Sequence, residues 1–130
     1  MSHILLAEDD NSMRQFLELA LARAGHKITS CTNGLEALKL IQEQGQDFDM
    51  LLADIVMPGM DGIELSQKAA TLAPAMKIMF ITGFAAVAMG QRNSANAGAG
   101  HARILSKPFH LNDLVKQVEE LLASEPKTEV

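Results

Sequence analysis

Three near-continuous apolar runs of strand length, Ile4-Leu5-Leu6-Ala7, Met50-Leu51-Leu52-Ala53 and Ile78-Met79-Phe80-Ile81, constrain this chain more than any other feature of it. A strand with one wet face alternates apolar and polar residues. An unbroken apolar run requires both faces to be covered, as in a parallel sheet with helices on either side. Lys27-Ile28-Thr29-Ser30-Cys31 does alternate, which fits an edge strand, and Ile104-Leu105 is a shorter candidate for a fifth strand. Helical spacing fills the intervals. Met13, Phe16, Leu17, Ala20, Leu21 and Ala24 form one apolar stripe, with Asp10, Asn11 or Ser12 able to cap its start and Gly25 placed where a helix end favours positive φ. Leu35, Leu38 and Ile41 repeat the pattern before Gly45, a third helix is expected over about residues 63–73, stopped by Pro74, and Leu111, Leu114, Val115, Val118, Leu121 and Leu122 make the last stripe. Strands alternating with helices in this way call for right-handed crossovers and a doubly wound α/β fold.

Residues 83–100 break the pattern. Ten of these 18 are Gly or Ala, and no apolar stripe runs through them. Two readings stand: a short or irregular fourth helix with a loose loop, or a segment that orders on a partner or after activation.

Composition narrows the function classes. The chain has 130 residues, enough for one domain and its core; residues 1–124 are expected to form it, with the polar stretch 125–130 as a flexible tail. Cys31 is the single cysteine, so neither a disulfide framework nor a cysteine zinc site is available. The start of the chain lacks a basic flank and a cleavage site, and no apolar run approaches the roughly 18 residues of a membrane span, so a cytoplasmic location without membrane partners is expected. The net charge is −5, no Lys/Arg cluster occurs, and Trp and Tyr are absent, which argues against nucleic acid as a partner. His3, His26, His101 and His110 show no metal-ligand spacing, and Cys31 is expected to be inert.

The chemistry lies at the strand ends. In an open α/β sheet the loops after the carboxyl ends of the strands meet along one edge, where ligands bind. Four such ends carry unusual polar residues here: Glu8-Asp9-Asp10, Asp54, Thr82 and Lys107. Each alone has an ordinary reading as a helix cap, a strand-end acid, a hydroxyl or a surface lysine; together they describe a site. Carboxylates gathered in one cleft invite either a divalent cation or a raised pKa. Oxygen ligands suit Mg²⁺, with Mn²⁺ able to substitute. Asp54 would then act as a nucleophile toward a phosphoryl group, giving an acyl phosphate, with Lys107 neutralising charge and Thr82 donating a hydrogen bond.

These residues give the chain its resemblance. Ile4-Leu5-Leu6-Ala7-Glu8-Asp9-Asp10, Asp54-Ile55-Val56-Met57-Pro58-Gly59-Met60-Asp61-Gly62, Ile81-Thr82-Gly83 and Lys107-Pro108-Phe109, in this order, are similar to the motifs of CheY-like receiver domains of two-component response regulators. The resemblance covers about residues 2–124 and implies a flavodoxin-like five-stranded parallel sheet of order 2-1-3-4-5 in three α/β/α layers. It implies that Asp54 is phosphorylated by a histidine kinase or histidine phosphotransfer protein. It also implies that Asp9, Asp54 and the Val56 carbonyl bind Mg²⁺ directly, that Glu8 acts largely through water, and that Lys107–Pro108 is a cis peptide. Catalysis would then extend at most to the domain's own phosphorylation and dephosphorylation. A narrower likeness, carried by residues 54–58, 77–86 and 105–111, is to the CpdR-type receivers of α-proteobacteria. It implies control of proteolysis through the ClpX unfoldase of ClpXP, with the unphosphorylated form active. The alternative output is a phosphorelay shuttle or a CheY-like motility regulator.

Three departures from the receiver pattern matter. Ile104 stands where many receivers carry an aromatic residue, so the usual rotamer switch is absent. Val56 and Phe84, two residues past Asp54 and Thr82, are apolar and are expected to hinder an incoming water, giving a long-lived aspartyl phosphate; Phe84 is also a candidate docking anchor. Other phosphate-handling folds fit poorly. A haloacid-dehalogenase-type enzyme needs a second acid where Val56 stands, a flavodoxin-like cofactor site would be repelled by Glu8-Asp9-Asp10, and the P-loop motif is missing. With no output domain expected after residue 130, the signal would leave through a surface formed by the fifth strand, residues 83–100 and the last helix. A monomer or weak dimer is expected.

Overall fold

The computed structural model describes residues 2–82, 103–106 and 110–123. In chain order these form β1 (His3–Ala7), α1 (Asn11–Arg23), β2 (Lys27–Cys31), α2 (Gly34–Gln44), a 3₁₀ turn (Gly45–Asp47), β3 (Met50–Asp54), α3 (Gly62–Leu72), β4 (Lys77–Thr82), β5 (Arg103–Ser106) and α4 (Leu111–Ala123). The five strands are all parallel and lie in the order β2-β1-β3-β4-β5, as the resemblance implied. The short or irregular helix expected between β4 and β5 and the polar tail from residue 125 fall outside the described residues.

The sheet divides the core in two. Successive strand residues point to opposite faces. Leu5 and Ala7 of β1, Leu51 and Ala53 of β3 and Ile78 and Phe80 of β4 therefore pack under α2 and α3, with Ala37, Ile41, Leu65 and Ala69. Their neighbours Ile4, Leu6, Leu52, Met79 and Ile81 pack under α1 and α4, against Leu17, Leu21, Leu114, Val118 and Leu121. All five residues of β3 are buried, while β2 is buried only at Cys31, so the unbroken apolar run is indeed central and the alternating one is at the edge.

The helix ends follow local chemistry. Asp10, Asn33 and Asp61 cap α1, α2 and α3, each accepting a hydrogen bond from the amide three residues on at 2.8 Å. Gly25 turns the chain after α1 at φ +100°. Expected core positions are corrected at Phe16, Leu35 and Leu111, all of them exposed. Phe16 is 45% exposed, because it lies about 100° round the helix from Leu17, at the flank of the stripe defined by Leu17, Ala20 and Leu21. Leu35 is exposed on α2 for the same reason. Among the described residues, no helix is long and apolar enough to cross a membrane.

Candidate functional site

Strand register assembles the site. Ala7 pairs with Ala53, so the residues that follow them, Glu8 just past β1 and Asp54 at the end of β3, lie at the same edge of the sheet. Asp54 pairs with Ile81, which places Thr82 one step further along that edge, and Thr82 pairs with Ser106. From β1 the chain crosses to β2 on one side, and from β3 it crosses to β4 on the other. The crevice between β1 and β3 is thus the topological switch point of the sheet.

There the acids converge. Glu8, Asp9 and Asp54 each bring one carboxylate oxygen within 4.8 Å of the others, the only such group of acidic, His or Cys side chains among the described residues. Glu8 is fully buried, Asp54 is 7% exposed, and Asp9 is exposed at the mouth. Two carboxylates at about this separation repel by roughly 3 kcal/mol at an effective dielectric of about 20. Hydrogen bonds offset part of this. The Val56 amide donates to Asp54 Oδ1 at 3.2 Å, and the Asp10 amide donates to Glu8 Oε2 at 3.1 Å. The donor set is all oxygen, anionic and partly open to solvent. It fits a hard divalent cation that keeps some of its water.

The loop after Asp54 is held from both sides. The Ile55 amide donates to the Ile81 carbonyl at 3.2 Å, extending the β3–β4 ladder by one residue, and the Gly62 amide donates to the Ile55 carbonyl at 2.7 Å. Met57 and Met60, which shape the Pro58-Gly59 and Asp61-Gly62 turns, are buried in the α2/α3 core and anchor the loop. Gly62 is required by close approach: a Cβ there would lie 2.5 Å from the Asp54 carbonyl oxygen. The first turn of α3 thereby bears directly on the backbone that carries the Asp54 side chain. Val56, by contrast, is 67% exposed and stands beside the acids as an apolar rim.

Of the remaining site residues, Thr82 ends β4, and Ile104 in β5 is half-buried against the α2/α3 core. Lys107, Pro108 and Phe84 lie outside the described residues. One participant was not anticipated. Arg14, on α1, donates from Nη1 to the Glu8 carbonyl at 3.0 Å and from Nη2 to Asn11 Oδ1 at 2.6 Å. Its main partner is a backbone atom, which leaves no mark on side-chain spacing; the one signal was a cation in the first turn of a helix.

A 2-1-3-4-5 parallel sheet with three acids at its switch point is the architecture of a phosphoacceptor signalling domain, and the chain belongs to the response regulator receiver domain family, whose pattern matches residues 4–119. It is a CheY-like two-component response regulator. Its similarity to the response regulator receiver protein CpdR of Brucella abortus (strain 2308) is 53% identity over 122 residues, covering 94% of this chain and 98% of that protein. The sensor kinase CckA of the same organism is 34% identical over 119 residues, 92% of this chain but 12% of the kinase. A crystal structure of a CheY-like receiver domain protein from Methanospirillum hungatei JF-1 superposes with a TM-score of 0.83 at 31% identity, covering 94% of each chain.

Proposed function

We propose that Asp54 is the phosphoacceptor of this response regulator, and that Asp9, Asp54 and the Val56 carbonyl hold Mg²⁺, with Glu8 acting largely through water. The observation that carries this reading is the convergence of the three carboxylates at the end of β3 and β1. A carboxylate oxygen of Asp54 attacks the phosphorus of a phosphohistidine on a histidine kinase or phosphotransfer protein. The new P–O bond makes an acyl phosphate as the P–N bond breaks and the imidazole leaves. A bound Mg²⁺, or Mn²⁺ in its place, supplies neutralising charge for the crowded carboxylates and the incoming oxygens. Thr82 donates a hydrogen bond to the phosphoryl group, and Lys107 neutralises its charge.

In this reading residues 1–124 form the receiver, and the protein acts in the cytoplasm by binding other proteins. The extent of the likeness to CpdR supports a proteolysis-linked output in which ClpX is the partner and phosphorylation releases it. The test is transfer from a phosphorylated histidine phosphotransfer protein in Mg²⁺. Label is expected to move to the wild type and not to Asp54→Asn, and immobilised unphosphorylated protein is expected to capture purified ClpX better than the phosphorylated form. Label on Asp54→Asn overturns the acceptor assignment. Equal failure of both forms to capture ClpX redirects the output to a shuttle or motility role.

A further inference from the structure

The position of Arg14 is electrostatically unfavourable on its own helix. It lies in the first turn of α1, where the helix macrodipole is positive and where cations are disfavoured. That turn contains no acidic residue to offset it, and the basic residue that suits the dipole, Arg23, is at the other end. Negative charge stands just before the helix instead, in Glu8, Asp9 and the capping Asp10. The two hydrogen bonds of Arg14 show what it does there. Nη1 binds the Glu8 carbonyl at the end of β1, and Nη2 binds the Asn11 side chain at the start of α1, so the guanidinium fork closes the connection that carries Glu8 and Asp9.

The Glu8 carbonyl belongs to the peptide plane that joins Glu8 to Asp9. On one side of Glu8, its amide is fixed by donation to the Cys31 carbonyl of β2 at 3.1 Å. On the other side, Arg14 fixes the carbonyl. Held at both points, the Glu8–Asp9 peptide plane is restrained, and with it the place from which the Asp9 side chain leaves the backbone. We infer that Arg14 is a positioning residue for the cation site: by clamping the Glu8–Asp9 peptide it keeps Asp9 within reach of an ion that Asp54 also contacts. The inference rests on the site reading above.

Opposite signs separate this role from simple electrostatics. Removing a nearby positive charge should tighten cation binding by Coulomb's law, whereas removing a clamp should loosen it. With no Trp or Tyr in the chain, the suitable probe is Mn²⁺ followed by the electron paramagnetic resonance of the free ion, with the full-length protein. Arg14→Met is expected to bind Mn²⁺ about tenfold more weakly than wild type, the lower end of effects seen for groups that orient metal ligands. Arg14→Lys keeps the charge but cannot span both acceptors with one ammonium, and it too should bind more weakly. Asn11→Ala, which spares the arginine, guards against a folding defect and should weaken binding to a smaller extent. Thermal melts in EDTA report whether each variant is folded. Equal or tighter binding by folded Arg14→Met, or wild-type binding by Arg14→Lys and Asn11→Ala, overturns the inference alone. Wild type binding no better than Asp9→Asn overturns the site reading and the inference with it.

Discussion

At the scale of single residues, Val56 carries a testable prediction about the lifetime of a phosphoryl group on Asp54. Its amide supports Asp54, yet its side chain is the most exposed of the large apolar residues among the described residues and offers an approaching water nothing to bond. Val56→Asn places an amide at that rim. Loss of the phosphoryl group from the phosphorylated protein, followed by intact mass, is expected to speed up by a factor on the order of ten; an unchanged half-life would contradict the argument. Other polar residues are structural. His26 Nε2 lies 2.9 Å from Glu119 Oε2 of α4 and ties that helix to the turn after α1. His3 bridges the Asp47 carbonyl and the Thr29 hydroxyl at the far end of the sheet. Burial, reinforced by the Glu36 charge, pushes the Cys31 thiol up to about 11, which accords with an inert cysteine. The acids of the site were legible because an unbroken apolar strand that ends in a carboxylate is unusual. Arg14 was not, because a hydrogen bond to a carbonyl obeys no side-chain code.

Among the elements, α2 carries a testable pH dependence. Asn33 caps its amino end, and Glu36 reaches back so that Oε1 accepts from the Thr32 amide at 2.8 Å and the Thr32 hydroxyl at 3.0 Å. The Thr32 amide bond, then the hydroxyl bond, hold the Glu36 carboxyl below its ordinary value of 4.5. Because the folded value is the lower one, the stability this charge contributes is present above 4.5 and is lost as pH falls through the folded value. Glu36→Gln is therefore expected to melt below wild type at neutral pH, with the gap narrowing as pH falls below 4.5. A gap of constant size in melts across that range would contradict the assignment. Element types were readable wherever burial on both faces, or on one stripe, left a strong period. β1, β3 and β4 gave themselves away as unbroken runs, and Pro74 and Gly25 marked helix ends. Phe16 misled because an aromatic residue at i+3 from Met13 can lie on the flank of a stripe as well as inside it. Residues 83–100 offered no period to read, since Gly and Ala at ten of 18 positions carry too little apolar area to define a face.

For the molecule as a whole, topology turns distant positions into one site. Glu8 and Asp54 are separated by most of two β-α units, yet the order β2-β1-β3-β4-β5 makes their strands neighbours and their ends coincide. Periodicity alone could not supply that order; it specifies which faces are buried, not which strand lies beside which, and the order came from the likeness to receivers. Function follows from the same geometry, since the acids meet only if the chain reverses direction across the sheet between β1 and β3. The central claim, that this edge is a metal-dependent phosphoacceptor centred on Asp54, is tested most directly by intact mass after incubation with a small-molecule phosphodonor. One phosphoryl adduct is expected on the wild type in Mg²⁺, absent in EDTA and absent from Asp54→Asn. An adduct that persists in Asp54→Asn, or a wild type that gains none in either medium, would contradict it.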